Sequence, residues 1–563
     1  MPNVHITIDD REVSVPANST VLDAAKVANI DIPTLCAHPA IEPIGACRMC
    51  LVEVEKQRVL QPACTFPVSE GMVIHTKTEK VLEARRFVLQ LLFSERNHFC
   101  MFCQMSGSCE LQDLAYESGL DHWEFDRAFP KLPVDASRKF FVMDHNRCIL
   151  CRRCIRVCDE LVGNNTLGLK GRGADTMIIA DMDVPFGESS CVSCGTCLQV
   201  CPTGALMDRA SAYMGSAEEI TRVKSRCMAC SVGCGVELII RDNRVIRVEG
   251  DWDAEPNHGL LCEAGRFSLM HDKRHRVRKP LVKGADGLSE VDWEQALGQV
   301  AAKFQDAGDD LCSIVSGYVT TEAAEALEGI PGKKTLLGGV SPDAALEPLS
   351  VLDAADVYIV VGTDLTVDYQ VAGFAIKRST RHRGARLLLL DEGENGLAPW
   401  AYAKWSPEEA DEAVKIALGA EMPVIVYDTC GADLAMALAE KLPKSKLVSF
   451  APGGNALGIK AVGVTTAFEG QKASVYYVLA DEMAVVDGDL LDTLKKADFV
   501  VVQSCFREPW DEIADVILPT PTWHEKSGTM TNVEGVTGQI VAGVVTKLPS
   551  EAKTIEQLGA LVR

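Results

Sequence analysis

The chain has 563 residues, of which 47% are hydrophobic and 24% charged, and its formal net charge is −23. Its length allows several domains with separate cores, and its acidity argues against a nucleic-acid partner, because phosphate binding needs a basic face. No apolar run approaches the roughly 18 residues of a membrane span, and the first residues carry no signal-like region. We therefore expect a cytoplasmic protein without direct membrane insertion.

The cysteines are concentrated in one part of the chain. Nineteen of the 22 fall into five ligand-like groups between Cys36 and Cys262. Disulfide-rich chains are usually small and secreted, so this spacing favours metal ligation. Zinc is the alternative for an isolated four-cysteine group. Five groups in series predict iron–sulfur clusters and electron transfer.

Residues 1–78 are predicted to form a small β-rich domain. Val4–Ile8 and Glu12–Val15 alternate as a hairpin, and Ser19 or Thr20 can cap a following helix. Four cysteines follow with the spacing C-x10-C-x2-C-x13-C, namely Cys36, Cys47, Cys50 and Cys64. Four thiolates in loops beside a sheet predict a 2Fe–2S cluster, with zinc as the alternative.

Residues 79–138 are predicted to form a helical domain around a 4Fe–4S cluster. Helical periodicity covers Val81–Phe93 and resumes at Glu110–Tyr116. Between them stand only three cysteines, Cys100, Cys103 and Cys109. His98 is the nearest candidate for the fourth ligand, because a neutral imidazole can replace a thiolate. The alternative is that His98 only hydrogen-bonds nearby and the fourth ligand lies elsewhere.

Residues 139–215 contain two runs with the spacing C-x2-C-x2-C-x3-C, which is the pattern of two-cluster bacterial ferredoxins. In that pattern the fourth cysteine of each run ligates the other cluster. One predicted 4Fe–4S site therefore comprises Cys148, Cys151, Cys154 and Cys201. The other comprises Cys191, Cys194, Cys197 and Cys158.

Residues 220–275 carry the last group, Cys227, Cys230, Cys234 and Cys262, with a predicted hairpin of Val236–Ile240 and Arg244–Glu249 inside it. We expect a fourth 4Fe–4S cluster here, again with zinc as the alternative.

Residues 276–563 alternate between buried strands and helices, a pattern that predicts parallel sheets covered by helices. The predicted strands are Leu311–Ser316, Val357–Val361, Arg386–Leu390, Val424–Tyr427, Val475–Leu479 and Phe499–Gln503. Two basic stretches accompany this part. We expect Arg266–Lys279 to be a solvated linker and Lys377–Arg386 to cover a helix surface.

The order and spacing of the cysteine groups resemble the large iron–sulfur subunit of respiratory NADH:quinone oxidoreductase. The first 210 residues are also similar to the diaphorase small subunit of NAD-linked nickel–iron hydrogenases and to the amino-terminal part of NAD-dependent formate dehydrogenases. The resemblance is carried by Asn97–Cys100, Cys109–Leu114 and the two ferredoxin runs. The respiratory subunit has H-x3-C, where this chain has Arg96, and it usually retains only one cluster of the ferredoxin pair.

The remainder resembles the molybdopterin oxidoreductase family in Asp356–Asp364, Ala514–Pro519 and Glu525–Gly535. The resemblance implies a multidomain α+β and α/β fold. Its order is a β-grasp 2Fe–2S ferredoxin domain, a helical His/Cys cluster domain, a double 4Fe–4S ferredoxin domain and a reduced molybdopterin-oxidoreductase-like α/β domain.

Several departures predict that this last domain has no active site. Cys312, Cys430 and Cys505 lack the basic residue and histidine that accompany the metal-binding cysteine of formate dehydrogenases, and we expect small buried or strand-end residues. Catalytic members carry a lysine just after the fourth cluster cysteine, whereas this chain has Cys262-Glu263-Ala264-Gly265-Arg266. We expect no molybdopterin, no catalytic residue and a truncated scaffold. The alternative is a small molybdenum or tungsten enzyme.

The chain has no Rossmann, Walker or flavin motif, so a flavin- and NAD(P)-binding partner must split the hydride into single electrons. The resemblance implies an oxidoreductase complex in which this chain relays electrons to hydrogenase catalytic subunits, with a small 2Fe–2S subunit as a further partner. Five clusters would also permit electron bifurcation to ferredoxin. Formate dehydrogenase and NADH:quinone oxidoreductase complexes are the alternatives, and the double ferredoxin motif weighs against the second.

Overall fold

The computed structural model describes residues 2–339, 346–483, 486 and 488–563. The chain forms two compact units, Met1–Ile220 and Thr221–Arg563. Within the described ranges, none of the helices combines the length and the apolar character needed to span a lipid bilayer.

The first part of unit Met1–Ile220 is a small mixed sheet with one helix. Its elements are β1 (Asn3–Ile8), β2 (Arg11–Pro16), α1 (Val21–Val27), β3 (Leu51–Val54), β4 (Gln61–Pro62) and β5 (Val73–His75). The strand order is β2-β1-β5-β3-β4, and only the β1–β5 pair is parallel. The predicted hairpin and capped helix are confirmed: the Asp23 backbone N–H donates to Thr20 Oγ1 at 3.2 Å, so the first turn of α1 has a partner.

Two helices follow, α2 (Glu79–Glu95) and α3 (Glu110–Glu117), in agreement with the predicted periodicity. A short 3₁₀ turn, Cys100–Phe102, lies between them. The apolar faces of both helices are buried, with Leu89 and Leu111 at 0% and 1% exposure. The helices therefore form a small core around the loop that carries three cysteines.

The rest of this unit consists of short elements between cysteine loops. They are β6 (Val134–Asp135), β7 (Phe141–Asp144), α4 (Arg153–Arg156), β8 (Leu167–Lys170), β9 (Met177–Ala180), α5 (Thr196–Gln199) and β10 (Leu206–Asp208). A π-helical turn, Val157–Leu161, continues α4. Strands β10, β7 and β6 form one antiparallel sheet, and β8 and β9 form a hairpin.

Unit Thr221–Arg563 begins with an antiparallel sheet of β11 (Thr221–Arg226), β12 (Gly235–Arg241) and β13 (Arg244–Gly250), followed by α6 (Glu263–His271). The predicted hairpin is confirmed. Asp242 and Asn243 form its turn with φ of +51° and +56°, the left-handed region that short polar side chains tolerate.

The strands that follow are mostly buried and parallel, as predicted. They are β14 (Leu281–Gly284), β15 (Gly287–Glu290), β16 (Leu311–Val315), β17 (Lys333–Leu336), β18 (Val357–Val361), β19 (Arg386–Leu390), β20 (Ala401–Trp405), β21 (Pro423–Tyr427), β22 (Lys446–Ser449), β23 (Val475–Asp481), β24 (Phe499–Ser504), β25 (Val516–Pro519), β26 (Gly528–Thr531) and β27 (Thr537–Ile540). All five residues of β18 are buried, because helices cover both faces of a parallel sheet.

Two larger sheets organise these strands. One has the order β15-β14-β25-β24-β23-β16-β17 and the other β20-β19-β18-β21-β22, while β26 and β27 form a separate hairpin. The covering helices are α7 (Trp293–Ala307), α8 (Thr321–Ala326), α9 (Val351–Ala354), α10 (Gln370–Arg383), α11 (Ala410–Ala417), α12 (Ala432–Lys441), α13 (Ala456–Ala461), α14 (Gly488–Leu494) and α15 (Glu551–Val562).

Candidate iron–sulfur sites

The first candidate site brings together the four cysteines of the small mixed sheet, Cys36, Cys47, Cys50 and Cys64. The Cys47 backbone N–H donates to Cys36 Sγ at 3.4 Å. Hydrogen bonds from the Cys47 and Cys64 thiols lower the pKa of Cys36, and the Cys64 thiol likewise lowers the pKa of Cys50. The four sulfur atoms are therefore close neighbours, as thiolate ligands of one metal group must be.

The second candidate site is a small pocket between α2 and α3. Its walls include the three cysteines and the histidine predicted from the sequence, Cys100, Cys103, Cys109 and His98. Burial lowers the pKa of His98 to about 4, which keeps the imidazole neutral at pH 7. Its Nε2 is buried without a hydrogen-bond partner. A neutral imidazole with a free nitrogen beside three thiols fits the fourth ligand position.

Arg96 has a different role from the histidine that the respiratory pattern places at this position. Its side chain is buried, and its guanidinium donates to the backbone oxygen atoms of His145 at 3.1 Å and Thr176 at 2.9 Å. Arg96 therefore holds neighbouring backbone segments together.

The third candidate site gathers the first three cysteines of one ferredoxin run and the last cysteine of the other, Cys148, Cys151, Cys154 and Cys201. Cys148, Cys151 and Cys154 are buried. Burial is the largest cause that raises the pKa of Cys151, and the charge of Cys201 raises this pKa further. The same two causes act on Cys154, together with its two neighbours in the run. Cys201 is thus close to the run that precedes it by more than 40 residues.

The fourth candidate site is a small pocket whose walls include Cys158, Cys191, Cys194 and Cys197. Its loop repeats the geometry of the third site. Leu150 and Ser193 both have φ of +53°, and each donates its backbone N–H to the sulfur two residues earlier at 3.4 Å. Left-handed loops with inward N–H groups suit a sulfur-rich anionic group, because hydrogen bonds to sulfur stabilise its charge.

The candidate sites of this unit adjoin one another. Cys109 Sγ lies 3.5 Å from the backbone oxygen of Pro202, the residue after Cys201. A Cβ on Gly204 would lie 2.7 Å from Cys103 Sγ, so only glycine fits there. On the other side, Arg156 of α4 donates to the backbone oxygen of Cys36. These contacts join the second site to the third, and the third to the first.

Buried and half-buried arginines at the cysteine loops were not predicted from the sequence. Arg147, Arg153 and Arg156 surround the first ferredoxin run, and Arg138 donates to the Cys191 backbone oxygen. A buried cluster of thiolates carries negative charge, and adjacent guanidinium groups offset it. The signal that could have found them is the placement of arginine directly beside the ligand cysteines in Arg147–Arg156.

The fifth candidate site lies in the other unit, between the β11–β13 sheet and α6, and comprises Cys227, Cys230, Cys234 and Cys262. Cys262 is the N-cap of α6, and its sulfur accepts the Gly265 backbone N–H at 3.2 Å. A Cβ on Gly265 would lie 3.3 Å from Cys227 Sγ and 3.6 Å from Cys262 Sγ. The helix N-terminus therefore faces two of the thiols. Burial raises the pKa of Cys262, and the N–H groups of this helix N-terminus lower that pKa by less.

No group of three or more His, Cys, Asp and Glu side chains is arranged to hold a single metal ion in the described part of the chain. The four ligands of a 4Fe–4S cluster bind four different irons, and those of a 2Fe–2S cluster bind two.

The expectation of a solvated linker at Arg266–Lys279 is wrong. Residues up to His271 belong to α6, and Arg266 is only 5% exposed. Arg276 contacts Glu525 at 2.6 Å and the backbone oxygen of Thr520 at 2.8 Å. The charge run was misleading because its arginines pair internally with carboxylates and carbonyls that are distant in sequence.

The second basic stretch covers a helix surface only in part. Lys377 of α10 is 2% exposed, and its ammonium lies 4.2 Å from the centre of the Trp400 ring. Arg381 and Arg383 are exposed, as expected.

The cysteines outside the five groups do not fit a molybdenum or tungsten ligand. Cys430 is exposed after β21, whereas Cys312 and Cys505 are fully buried. Cys505 is fully buried directly after β24, which agrees with the predicted small buried or strand-end residue, and its thiol donates to Asp481 Oδ1 at 2.9 Å. Burial raises its pKa, and the Asp481 carboxylate raises it further. The buried Cys505 thiol is therefore already paired with a carboxylate of the fold.

Family models match most of the chain. They are described as "2Fe-2S iron-sulfur cluster binding domain" (residues 2–79), "NADH-ubiquinone oxidoreductase-G iron-sulfur binding region" (85–123), "NADH-quinone oxidoreductase subunit 3, ferredoxin-like domain" (139–207), "Molybdopterin oxidoreductase Fe4S4 domain" (220–272) and "Molybdopterin oxidoreductase" (435–558). These matches confirm the multidomain fold class expected from the sequence.

Named relatives agree with the family models. The NADH-quinone oxidoreductase G 2 subunit of Rhizobium meliloti is 30% identical over 76% of this chain and 52% of the relative. Subunit 3 of the Thermus thermophilus NADH-quinone oxidoreductase is 28% identical over 94% of this chain and 79% of the relative. NADPH-Fe(3+) oxidoreductase subunit alpha of Geobacter sulfurreducens is 29% identical over 69% of this chain and 48% of the relative. The chain thus spans about half the length of the first and third of these relatives.

One solved structure, an NAD+-reducing [NiFe]-hydrogenase in the H2-reduced state, matches 38% of this chain and 90% of its own with 35% identity and a TM-score of 0.36. The domain order and the relatives together identify the family. The chain is an iron–sulfur protein of the NADH-quinone oxidoreductase G/3 type with a molybdopterin-oxidoreductase-like carboxy-terminal domain.

Proposed function

We propose that this chain relays electrons one at a time through five clusters within an NAD(P)-linked oxidoreductase complex. Cys36, Cys47, Cys50 and Cys64 would hold one 2Fe–2S cluster. Four 4Fe–4S clusters would be held by His98, Cys100, Cys103 and Cys109; by Cys148, Cys151, Cys154 and Cys201; by Cys158, Cys191, Cys194 and Cys197; and by Cys227, Cys230, Cys234 and Cys262.

Bound clusters would supply one-electron redox chemistry, and the chain supplies what surrounds them. The thiolates and the neutral His98 imidazole hold the clusters. Arg153 and Arg156 place positive charge beside them, and several buried side chains line the two pockets. No residue is assigned to hydride or substrate chemistry, so the chain contributes spacing, burial and hydrogen bonds that set each potential.

The observation that supports this proposal most is the contact between neighbouring sites. Cys109 Sγ is 3.5 Å from the Pro202 backbone oxygen, and Pro202 is bonded to the ligand candidate Cys201. The two candidate ligands are thus separated by a short stretch of backbone, and such proximity suits transfer between clusters. Separate structural zinc sites would not need this contact.

The proposed partners are a flavin- and NAD(P)-binding subunit, a small 2Fe–2S subunit and the catalytic subunits of a hydrogenase. The two complete ferredoxin runs favour a hydrogenase over a quinone-reducing complex, and five clusters would also permit bifurcation to ferredoxin. A second candidate is an NADH:quinone oxidoreductase, which the names of the Rhizobium and Thermus relatives favour. A formate dehydrogenase is the third, and the truncated carboxy-terminal domain would then act as a pterin-free scaffold.

Elemental analysis of the complex purified anaerobically through a mild affinity tag on this chain tests the proposal. Nickel with abundant iron supports the hydrogenase partner, whereas molybdenum or tungsten in a separate subunit supports a formate dehydrogenase. Iron alone favours the quinone or ferredoxin relay. Molybdenum or tungsten that stays with the isolated chain, or zinc in place of iron, contradicts the proposal.

A further inference from the structure

Arg147 has an unexplained position beside the candidate site of His98. It lines the same cavity as His98 and Cys103, although it belongs to the loop of the next site and directly precedes Cys148. Its Nε donates to Asp144 at 2.9 Å, and its side chain is 17% exposed. Its Nη1 is buried and has no hydrogen-bond partner.

A buried N–H without a partner is costly, and such groups in a folded protein usually have a partner that the protein itself does not provide. The guanidinium also stays charged, because arginine is not deprotonated in proteins. The cavity therefore has one wall that is cationic and retains an unused donor.

We propose that Arg147 is a positioning residue that donates its free Nη1–H to a sulfur atom of the cluster in the His98 site and raises the potential of that cluster. Reduction adds a negative charge to the cluster, and a fixed cation with an N–H donor stabilises the reduced form more than the oxidised form. The proposal rests on the 4Fe–4S assignment of this site. The Asp144 carboxylate orients the guanidinium through its Nε.

The test is a redox titration of the anaerobically purified full chain, followed by electron paramagnetic resonance. The signal of the His98 site is first identified as the one that a Cys103→Ser variant loses. Arg147→Gln removes the charge, and Arg147→Lys keeps the charge but not the forked donor. Arg152→Gln is the matched control, because Arg152 also adjoins a ligand candidate but is exposed.

We expect Arg147→Gln to raise the oxidised-to-reduced ratio of this cluster at a fixed potential about tenfold, equivalent to about 59 mV for a one-electron couple. Arg147→Lys should give a smaller change in the same direction, and Arg152→Gln less than either. If Arg147→Gln fails to take up the cluster, the potential of the cluster in Arg147→Lys tests the inference instead. An unchanged potential with the cluster in place, or an equal shift of all clusters, overturns the inference. A wild-type chain without any signal that depends on Cys103 overturns the cluster assignment itself.

Discussion

Arg153 and Glu110 form a two-pronged ion pair that joins two neighbouring cysteine loops. Arg153 Nη1 lies 2.7 Å from Glu110 Oε1, and Nη2 lies 2.9 Å from Oε2. Glu110 directly follows Cys109, and Arg153 directly precedes Cys154. Arg153 also donates to the Val200 backbone oxygen at 3.3 Å. Paired hydrogen bonds of this kind fix orientation as well as distance, so the pair sets the separation of the second and third candidate sites.

Removing one partner of this pair should loosen both loops. In Glu110→Gln the amide keeps the shape but loses the charge, which leaves the buried Arg153 poorly compensated. We expect a loss of about 2 kcal/mol in the free energy of unfolding of this region, discounted because the Glu110 side chain is 49% exposed. The measurement is the denaturant concentration at which the visible absorbance of the clusters disappears. Glu117→Gln, an exposed residue on the same helix, is the control and should have no effect.

The crossed ligation of the ferredoxin pair predicts which cluster each cysteine supports. Cys158 lines one cavity with Cys191, Cys194 and Cys197. Cys158→Ser should therefore abolish the signal of the second run's cluster and spare that of its own run, with a loss of up to about four irons per chain. Iron analysis with electron paramagnetic resonance measures both. Cys430→Ser, an exposed cysteine outside the groups, should lose no iron. A loss confined to the Cys148 site would contradict the crossed assignment.

The elements of this fold could be predicted from local pattern because each has a clear period or cap. The apolar run of β18 predicts its bounds residue by residue, and the Thr20 cap predicts the start of α1. The ligand candidates could also be predicted from the sequence, because cysteine spacing within a loop is a local property. His98 is a near neighbour of Cys100 in sequence, and its buried free nitrogen agrees with a ligand position.

The sequence does not show which distant residue each charged side chain pairs with. The arginines of Arg266–Lys279 form a basic run, which is typical of solvated linkers, yet Arg276 contacts Glu525, 249 residues away. Cys505 is the small buried residue at a strand end that the sequence predicts, but the sequence does not show that its thiol donates a hydrogen bond to Asp481 Oδ1. Such long-range pairs depend on which strands become neighbours, and local periodicity does not contain that information.

The buried ion cluster of the carboxy-terminal unit predicts a pH dependence. Lys526 contacts both Asp481 and Glu551, and one cation cannot neutralise two buried carboxylates. Burial raises the pKa of Glu551 from 4.5 to about 8, and the charge of Asp481 adds to this. The folded protein therefore keeps a proton on Glu551 that the unfolded chain releases above pH 4.5. The free energy of unfolding should decline as the pH rises from about 4.5 to about 8.

Glu551→Gln mimics the protonated acid and has no proton to release. Between pH 5 and pH 8.5 the wild type should lose more free energy of unfolding than this variant does. We expect the two losses to differ by at least about 1 kcal/mol. Tryptophan fluorescence during denaturant unfolding reports on this unit, which contains six of the seven tryptophans. Glu556→Gln, exposed on the same helix, should follow the wild type. Parallel pH curves for Glu551→Gln and the wild type would show that Glu551 is ionised when folded.

The sharpest ligand prediction concerns His98. His98→Cys replaces a neutral imidazole by a thiolate, which adds a negative charge and disfavours reduction. We expect the cluster to remain and its midpoint potential to fall by on the order of 100 mV, in the direction seen when cysteine replaces histidine in 2Fe–2S centres. His98→Ala should lose the cluster. Redox titration with electron paramagnetic resonance distinguishes the two, and His122→Ala, whose ring is 65% exposed, is the control.

A second histidine at the respiratory position should not rescue the loss. In Arg96→His/His98→Ala the new imidazole replaces a guanidinium that holds the His145 and Thr176 backbone oxygens. This position is buried beside those carbonyls, so the double variant should bind no more iron than His98→Ala and should unfold more readily. Recovery of the cluster in the double variant would mean that the loop can shift by two residues and that His98 is not positioned by the fold. Retention of an unchanged potential in His98→Ala would place the fourth ligand elsewhere.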